Sequence, residues 1–260
     1  MTLFMKKIKF FVLTSVFYLL TKMPKLYKKD YFRDNCGFGL IANVHGKPSR
    51  KIVLDSIEAL KSMTHRGGIG SDGKTGDGCG LLLNLNKKFF IKTLENEQNI
   101  KLSEKFAVGQ LFYYQDIQVI EEKIKYILSK EGLKLCAKRE VPINKSILGN
   151  IALDCMPNVY QLFIEPKEEM LDAEFETALL QSRKFIEEIY LDDEKLYFCS
   201  FSNKTIIYKG LMLPKDIENF YIDFQSKYFK SSVCVFHQRF STNTSPRWHL
   251  AQPFRLLAHN

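Results

Sequence analysis

The chain has 260 residues, 45% of them hydrophobic, enough to bury a sizeable core as one large domain or two small ones. Its formal charge is +9, but the lysines are scattered and no zinc-finger or other nucleic-acid motif accompanies them, so the charge reads as a solvated surface and no nucleic-acid partner is expected. Cys36, Cys79, Cys136, Cys155, Cys199 and Cys234 form no C-x-x-C pair and no regular spacing, which argues against a structural zinc site or a disulfide framework and for a reduced, cytoplasmic setting.

Lys6, Lys7 and Lys9 adjoin an apolar run over 8–20 with the charge profile of a secretory signal, but no small-residue cleavage site follows. The run is also shorter than the roughly 20 residues a spanning helix needs, so a membrane partner is not expected. The first 24 residues therefore read as a pro-segment or a start-site artefact rather than a working export signal, with Met5 and Met23 leaving a downstream start open.

Next, Asp34-Asn35-Cys36-Gly37-Phe38-Gly39-Leu40-Ile41-Ala42 places a cysteine at the mouth of an apolar run, predicted as a strand to about Val44. Alone, Cys36 reads as a small buried hydrophobe. The glycines beside it also permit the close approach that a nucleophile requires. Ser49 is a predicted N-cap, with Val53, Ile57 and Leu60 following at helical spacing. The helix leads to Met63–Gly80, whose seven glycines in eighteen residues predict a loop. A plain linker of this kind would be serine-rich, whereas His65, Arg66, Asp72, Lys74, Thr75 and Asp77 are interleaved here, so the loop can fold back and aim several backbone N–H groups at one point. No G-x-x-x-x-G-K-S/T spacing fits it, and Gly68-x-Gly70 lacks the third glycine of a dinucleotide fingerprint.

Short strands are predicted at Leu81–Leu83 and Phe106–Tyr113, then a helix over about 116–129 carrying Ile117, Ile120, Ile124, Ile127 and Leu128. A strand over 159–164 and a helix over about 173–190 follow. The runs 196–200 and 205–208 read as a hairpin across Ser202-Asn203-Lys204, and 232–237 as a further strand. Strands and helices mixed in this way predict a layered α/β fold with largely antiparallel sheets. The last strand runs into Gln238-Arg239-Phe240-Ser241-Thr242-Asn243-Thr244, where one arginine and a run of hydroxyl and amide groups suit a small substrate bearing a carboxylate. Trp248 reads as core or pocket wall. Cys36, His65, Cys79 and His237 contain no local ligand pair, so no metal site is expected.

Taken together, Asp34-Asn35-Cys36-Gly37-Phe38-Gly39, Thr64-His65-Arg66-Gly67-Gly68, the Asp72–Gly80 run, His237–Thr244 and Leu250-Ala251-Gln252-Pro253-Phe254-Arg255 resemble the amino-terminal glutamine amidotransferase domain of the large (alpha) subunit of bacterial NADPH-dependent glutamate synthases. The resemblance runs from about Leu26 to Asn260. The His-Arg-Gly and Arg-Phe-Ser-Thr elements alone indicate a class II amidotransferase; the Asp-Gly-Lys-Thr-Gly-Asp-Gly run and Ser-Thr-Asn-Thr indicate glutamate synthase.

The resemblance implies an N-terminal-nucleophile hydrolase fold, a four-layer αββα sandwich over 36–260, preceded by a propeptide over 1–35. It implies Cys36 as the nucleophile toward L-glutamine, Arg239 as the group holding the α-carboxylate with Thr242 and Asn243 shaping the pocket, and Asn260 as an oxyanion donor. The family's next residue, a glycine completing the oxyanion hole, and the remaining core strands lie beyond Asn260, so the chain is expected to be part of a much larger enzyme and doubtful as a catalyst by itself. FMN, an iron–sulfur cluster and the NADPH and FAD of a small (beta) subunit are implied for the complete enzyme, together with a synthase domain, and none of them for these 260 residues.

Overall fold

Strand β1, Gly37–Ala42, is where the residues after Cys36 alternate between covered and open sides. The computed structural model describes residues 36–190, 195–242 and 244–255; the apolar run over 8–20, the propeptide reading of 1–35, Asn243 and Asn260 lie outside the described residues. Helix α1, Arg50–Ser62, starts as expected at Ser49, whose side chain accepts the Ile52 N–H at 3.3 Å, and buries Ile52, Val53, Ile57 and Leu60.

The glycine-rich stretch is a loop only as far as Lys74, because strand β2, Thr75–Asn84, already begins at Thr75. The expected loop residues are held there by pairing: Cys79 lies opposite Gln238 on one side and Gly210 on the other. Small residues are needed at this crossing, since a Cβ on Gly80 would lie 2.6 Å from the Cβ of Lys209 and 2.7 Å from the carbonyl oxygen of Gln252. Helix α2, Lys87–Gln98, follows, then strand β3, Ala107–Tyr113, helix α3, Gln118–Lys130, and strand β4, Leu133–Glu140. A short helix α4, Asn150–Asp154, precedes strand β5, Asn158–Pro166, and the long helix α5, Asp172–Ile189. Strands β6, Leu196–Ser202, and β7, Thr205–Met212, helix α6, Ile217–Phe220, and strand β8, Val233–Gln238, complete the order.

Two antiparallel four-stranded sheets result, one in the order β1-β8-β2-β7 and the other β4-β5-β3-β6. The expected hairpin at 196–208 is therefore absent as a pair: β6 pairs with β3 and β7 with β2. The turn between them is held from outside, because Glu176 of α5 accepts the Ser202 hydroxyl at 2.8 Å and the Asn203 N–H at 2.6 Å. Helices α3 and α5 cover one face of the second sheet through Ile120, Ile124, Phe175 and Leu179 against Leu111, Leu162 and Phe198. Its other face, with Val108, Phe112 and Phe163, shares a core with Leu81, Tyr208 and Phe236 of the first sheet and with α1 and α2.

A polar network bridges the sheets inside this core. Arg139 of β4, a buried side chain, donates to both oxygens of Asp223 at 3.0 and 2.9 Å and to Gln161 at 2.9 Å. Tyr208 of β7 closes the circuit by donating to Asp223 at 2.8 Å while accepting from Gln161 at 3.0 Å. No helix among the described residues is long and apolar enough to cross a membrane.

Candidate active site

Pairing of β1 with β8, with Gly37 opposite Gln238, brings Cys36 beside the residues that follow β8. The Phe240 N–H donates to Cys36 Sγ at 3.3 Å, a contact spanning 204 residues of sequence. Cys36 itself is 9% exposed. The Cys36 thiol in turn lies 3.9 Å from the Phe240 carbonyl oxygen, so one residue offers the sulfur both a donor and an acceptor. Arg66, in the turn after α1, reaches back with Nη2 3.5 Å from the Cys36 carbonyl oxygen. Gly37 makes room for that turn, since a Cβ there would lie 2.9 Å from Met63 Sδ and 3.1 Å from Arg66 Cβ.

Arg239 leaves β8 in the same place. Its N–H donates to the Gly78 carbonyl at 2.8 Å, and its guanidinium donates to the Asp77 carbonyl at 3.3 Å and to Thr244 Oγ1 at 2.5 Å. Burial lowers the Arg239 guanidinium from the usual arginine value, with the Asp77 charge opposing that effect. The Asp77 carboxylate is aimed elsewhere, at the N–H groups of Ser241 at 2.6 Å and Gly68 at 3.2 Å. It can come this close only because residue 68 is a glycine, whose Cβ would fall 2.6 Å from Asp77 Oδ2. Gln238 Oε1 and Ser241 Oγ, both buried here, have no hydrogen-bond partner among the described residues.

The structure thus unites Cys36 and Arg239, residues singled out from sequence, and adds Arg66, Asp77, Phe240 and Thr244, to which no role was given. Their motifs were visible; their partners were set by folding. Thr242 is exposed, while the hydroxyl on Arg239 is that of Thr244. Asn243 and Asn260 lie outside the described residues.

The loop before β2 does converge several N–H groups on one point, but the point is a side chain. Asp72 accepts from Lys74 N at 3.0 Å, Thr75 N at 2.8 Å, Thr75 Oγ1 at 2.6 Å and Ile151 N at 3.1 Å. These bonds, led by those from Thr75, hold its carboxyl below the usual carboxylate range. The donors that a cofactor phosphate would require are thus already taken. An iron–sulfur cluster also does not fit: among the described residues no three His, Cys, Asp or Glu converge, and burial pushes the Cys199 and Cys234 thiols up to about 12.

A family profile for class-II glutamine amidotransferases matches residues 36–260. The chain is 41% identical over 236 residues to the ferredoxin-dependent glutamate synthase 1 of Arabidopsis thaliana, covering 88% of this chain and 14% of that protein. It is 38% identical to the glutamate synthase (NADPH) large chains of Azospirillum brasilense and Bacillus subtilis, over 90% and 92% of this chain and 16% of each relative. The chain thus spans about one-sixth to one-seventh of the length of these relatives. Antiparallel sheets layered with helices, a cysteine opening the first strand, and a match along nearly the whole described length agree with one another: the chain belongs to the class-II glutamine amidotransferases, as the amidotransferase domain found in glutamate synthases.

Proposed function

We propose that this chain hydrolyses L-glutamine through Cys36, with Arg239 receiving the substrate's α-carboxylate. The observation that carries the reading is Arg239, 7% exposed and, among the described residues, without a carboxylate within ion-pairing distance. Among the described residues all its side-chain hydrogen bonds go to neutral acceptors and the nearby Asp77 carboxylate is bonded elsewhere, so a substrate anion that joins the guanidinium offsets a cost of burial. Two buried polar atoms beside it, Gln238 Oε1 and Ser241 Oγ, also lack partners, as expected where a polar substrate completes the bonding.

In this reading the Cys36 thiolate adds to the amide carbon and ammonia leaves with the transferred proton. Water then splits the thioester, returning the thiol and releasing glutamate. Cleavage between Asn35 and Cys36 would free an α-amino group with a pKa of about 7.7–8.0, able to take the thiol proton; as an amide the same nitrogen is no base. Thr242 and Asn243 would shape the pocket and Asn260 would donate to the oxyanion, a bond typically worth about 100- to 1,000-fold in rate. The ammonia would serve reductive amination of 2-oxoglutarate in a complete glutamate synthase, with FMN, the iron–sulfur cluster, NADPH and a small subunit outside these residues, in the cytoplasm. Relatives are named for ferredoxin, NADPH and NADH, so the electron donor is a property of the rest of the enzyme.

Intact mass and amino-terminal sequencing of the expressed chain, before and after a glutamine-analogue electrophile, test this. A chain beginning at Cys36 that gains one adduct there is the expected result, with no adduct in Cys36→Ser. A chain that retains its original amino terminus and an unmodified Cys36 would overturn it.

A further inference from the structure

A second concave site lies far along the sequence from Cys36, where α5 meets the turn joining β6 to β7. It is a cavity of about 280 Å³, close to the lower end of the roughly 300–1,000 Å³ usual for small-molecule sites. Arg183 of α5 lines it and is 9% exposed, and Arg255 stands beside it. The two guanidinium groups share one carboxylate: Glu187 accepts from Arg183 Nη1 and, at 3.2 Å, from Arg255 Nη1. One positive charge is therefore in excess at this end, and each guanidinium keeps further N–H donors. Arg255 is held in place by a bond to the Phe198 carbonyl and by lying 4.9 Å over the Tyr197 ring.

Glu176 lines the same cavity with the opposite charge. Its Oε1 is used by Ser202 and Asn203, while among the described residues Oε2 takes no hydrogen bond. Ser200, Thr205 and Leu180 are among the other residues that line it. A cationic pair, a lone carboxylate, hydroxyls and an apolar wall in a small cavity match the parts of a free amino acid: carboxylate, ammonium and side chain. From this lining we infer that the Arg183–Arg255–Glu176 cavity binds a free α-amino acid, at a site separate from Cys36. A simple oxyanion would be repelled by Glu176, and a simple amine by the two arginines.

The inference does not depend on the chemistry proposed at Cys36. Calorimetric titration with L-glutamate tests it, with glutarate, which lacks the amino group, as comparison. Titrated in an Arg239→Gln background, which removes the α-carboxylate partner proposed beside Cys36, saturable L-glutamate binding is expected, at least tenfold weaker when Arg183→Gln is added. Glu176→Gln keeps the acceptor for Ser202 and Asn203, so that variant should lose L-glutamate affinity while gaining affinity for glutarate. This reversal reports on ligand charge even if Arg183→Gln fails to fold. No saturable binding in the Arg239→Gln background, or equal affinity of that chain for glutarate and L-glutamate, would overturn the inference.

Discussion

Lys209 shows how one side chain ties the region around the candidate site together. It is fully buried, yet its Nζ donates to the carbonyls of Ala251 at 2.6 Å and His249 at 2.8 Å and lies 4.6 Å from the centre of the Tyr197 ring. Burial pulls its ammonium down to about 7. An exposed lysine in the unfolded chain titrates near 10.4, so between these two values the unfolded chain binds the extra proton and stability rises with pH. Urea unfolding should show this as a gain of roughly 2 kcal/mol from pH 7 to pH 9 that Lys209→Met removes. The same scale shows what sequence can and cannot reveal. Cys36 by itself read as a small buried hydrophobe and was singled out by the family resemblance, whereas Arg239 drew attention through the hydroxyl and amide groups that follow it. Thr244 was not distinguishable from Thr242, because which hydroxyl meets the guanidinium depends on the path of the turn between them.

Among the elements, the loop before β2 and helix α4 act as one piece. Asp72 gathers the loop and accepts the Ile151 N–H, while Thr75 Oγ1 accepts the Ala152 N–H at 3.1 Å, so the first turn of α4 is capped from a distant segment. Trp248 secures the other side by donating to the Ala152 carbonyl at 3.0 Å. Asp72→Ala should open the loop to limited proteolysis after Lys74 at neutral pH. Because the Asp72 carboxyl is held below its usual value, its contribution is complete above about pH 4 and declines as pH falls toward the folded-state value, so cutting of the native chain should rise only in acid. Helices α1, α3 and α5 and strands β3, β5 and β8 were legible from spacing alone, to within a few residues. Helix α2 and strand β4 were not: α2 buries only Phe89, Phe90 and Leu94 among charged neighbours, and β4 carries lysines and an arginine that read as surface. The β6–β7 turn looked like a hairpin because local sequence does not report which strand lies alongside.

The molecule as a whole is joined at its centre by an ion pair as well as by apolar contact. Arg139 and Asp223 are both buried, and Arg139 also donates to both oxygens of Glu97 at 2.8 and 3.0 Å, so the guanidinium keeps one carboxylate when Asp223 is removed. Asp223→Ala should therefore cost less in urea unfolding than the about 3–5 kcal/mol usual when a buried pair is severed, and Asp223→Ala combined with Glu97→Ala should cost more than the two single changes added together. Nothing in local sequence marked Arg139 as interior, and the layered fold was legible only from the order of elements and from the family resemblance.

The pairing of β1 with β8 also governs when the site can exist. The sulfur of Cys36 is met by a backbone group 204 residues later, and β8 lies between β1 and β2. On a ribosome adding about 5–20 residues per second, that interval is on the order of 10 to 40 s. Throughout it β1 has no partner in its sheet. The first residue of the site to be synthesised is thus among the last to be installed, and the nascent chain carries an idle thiol until its own distant strand arrives.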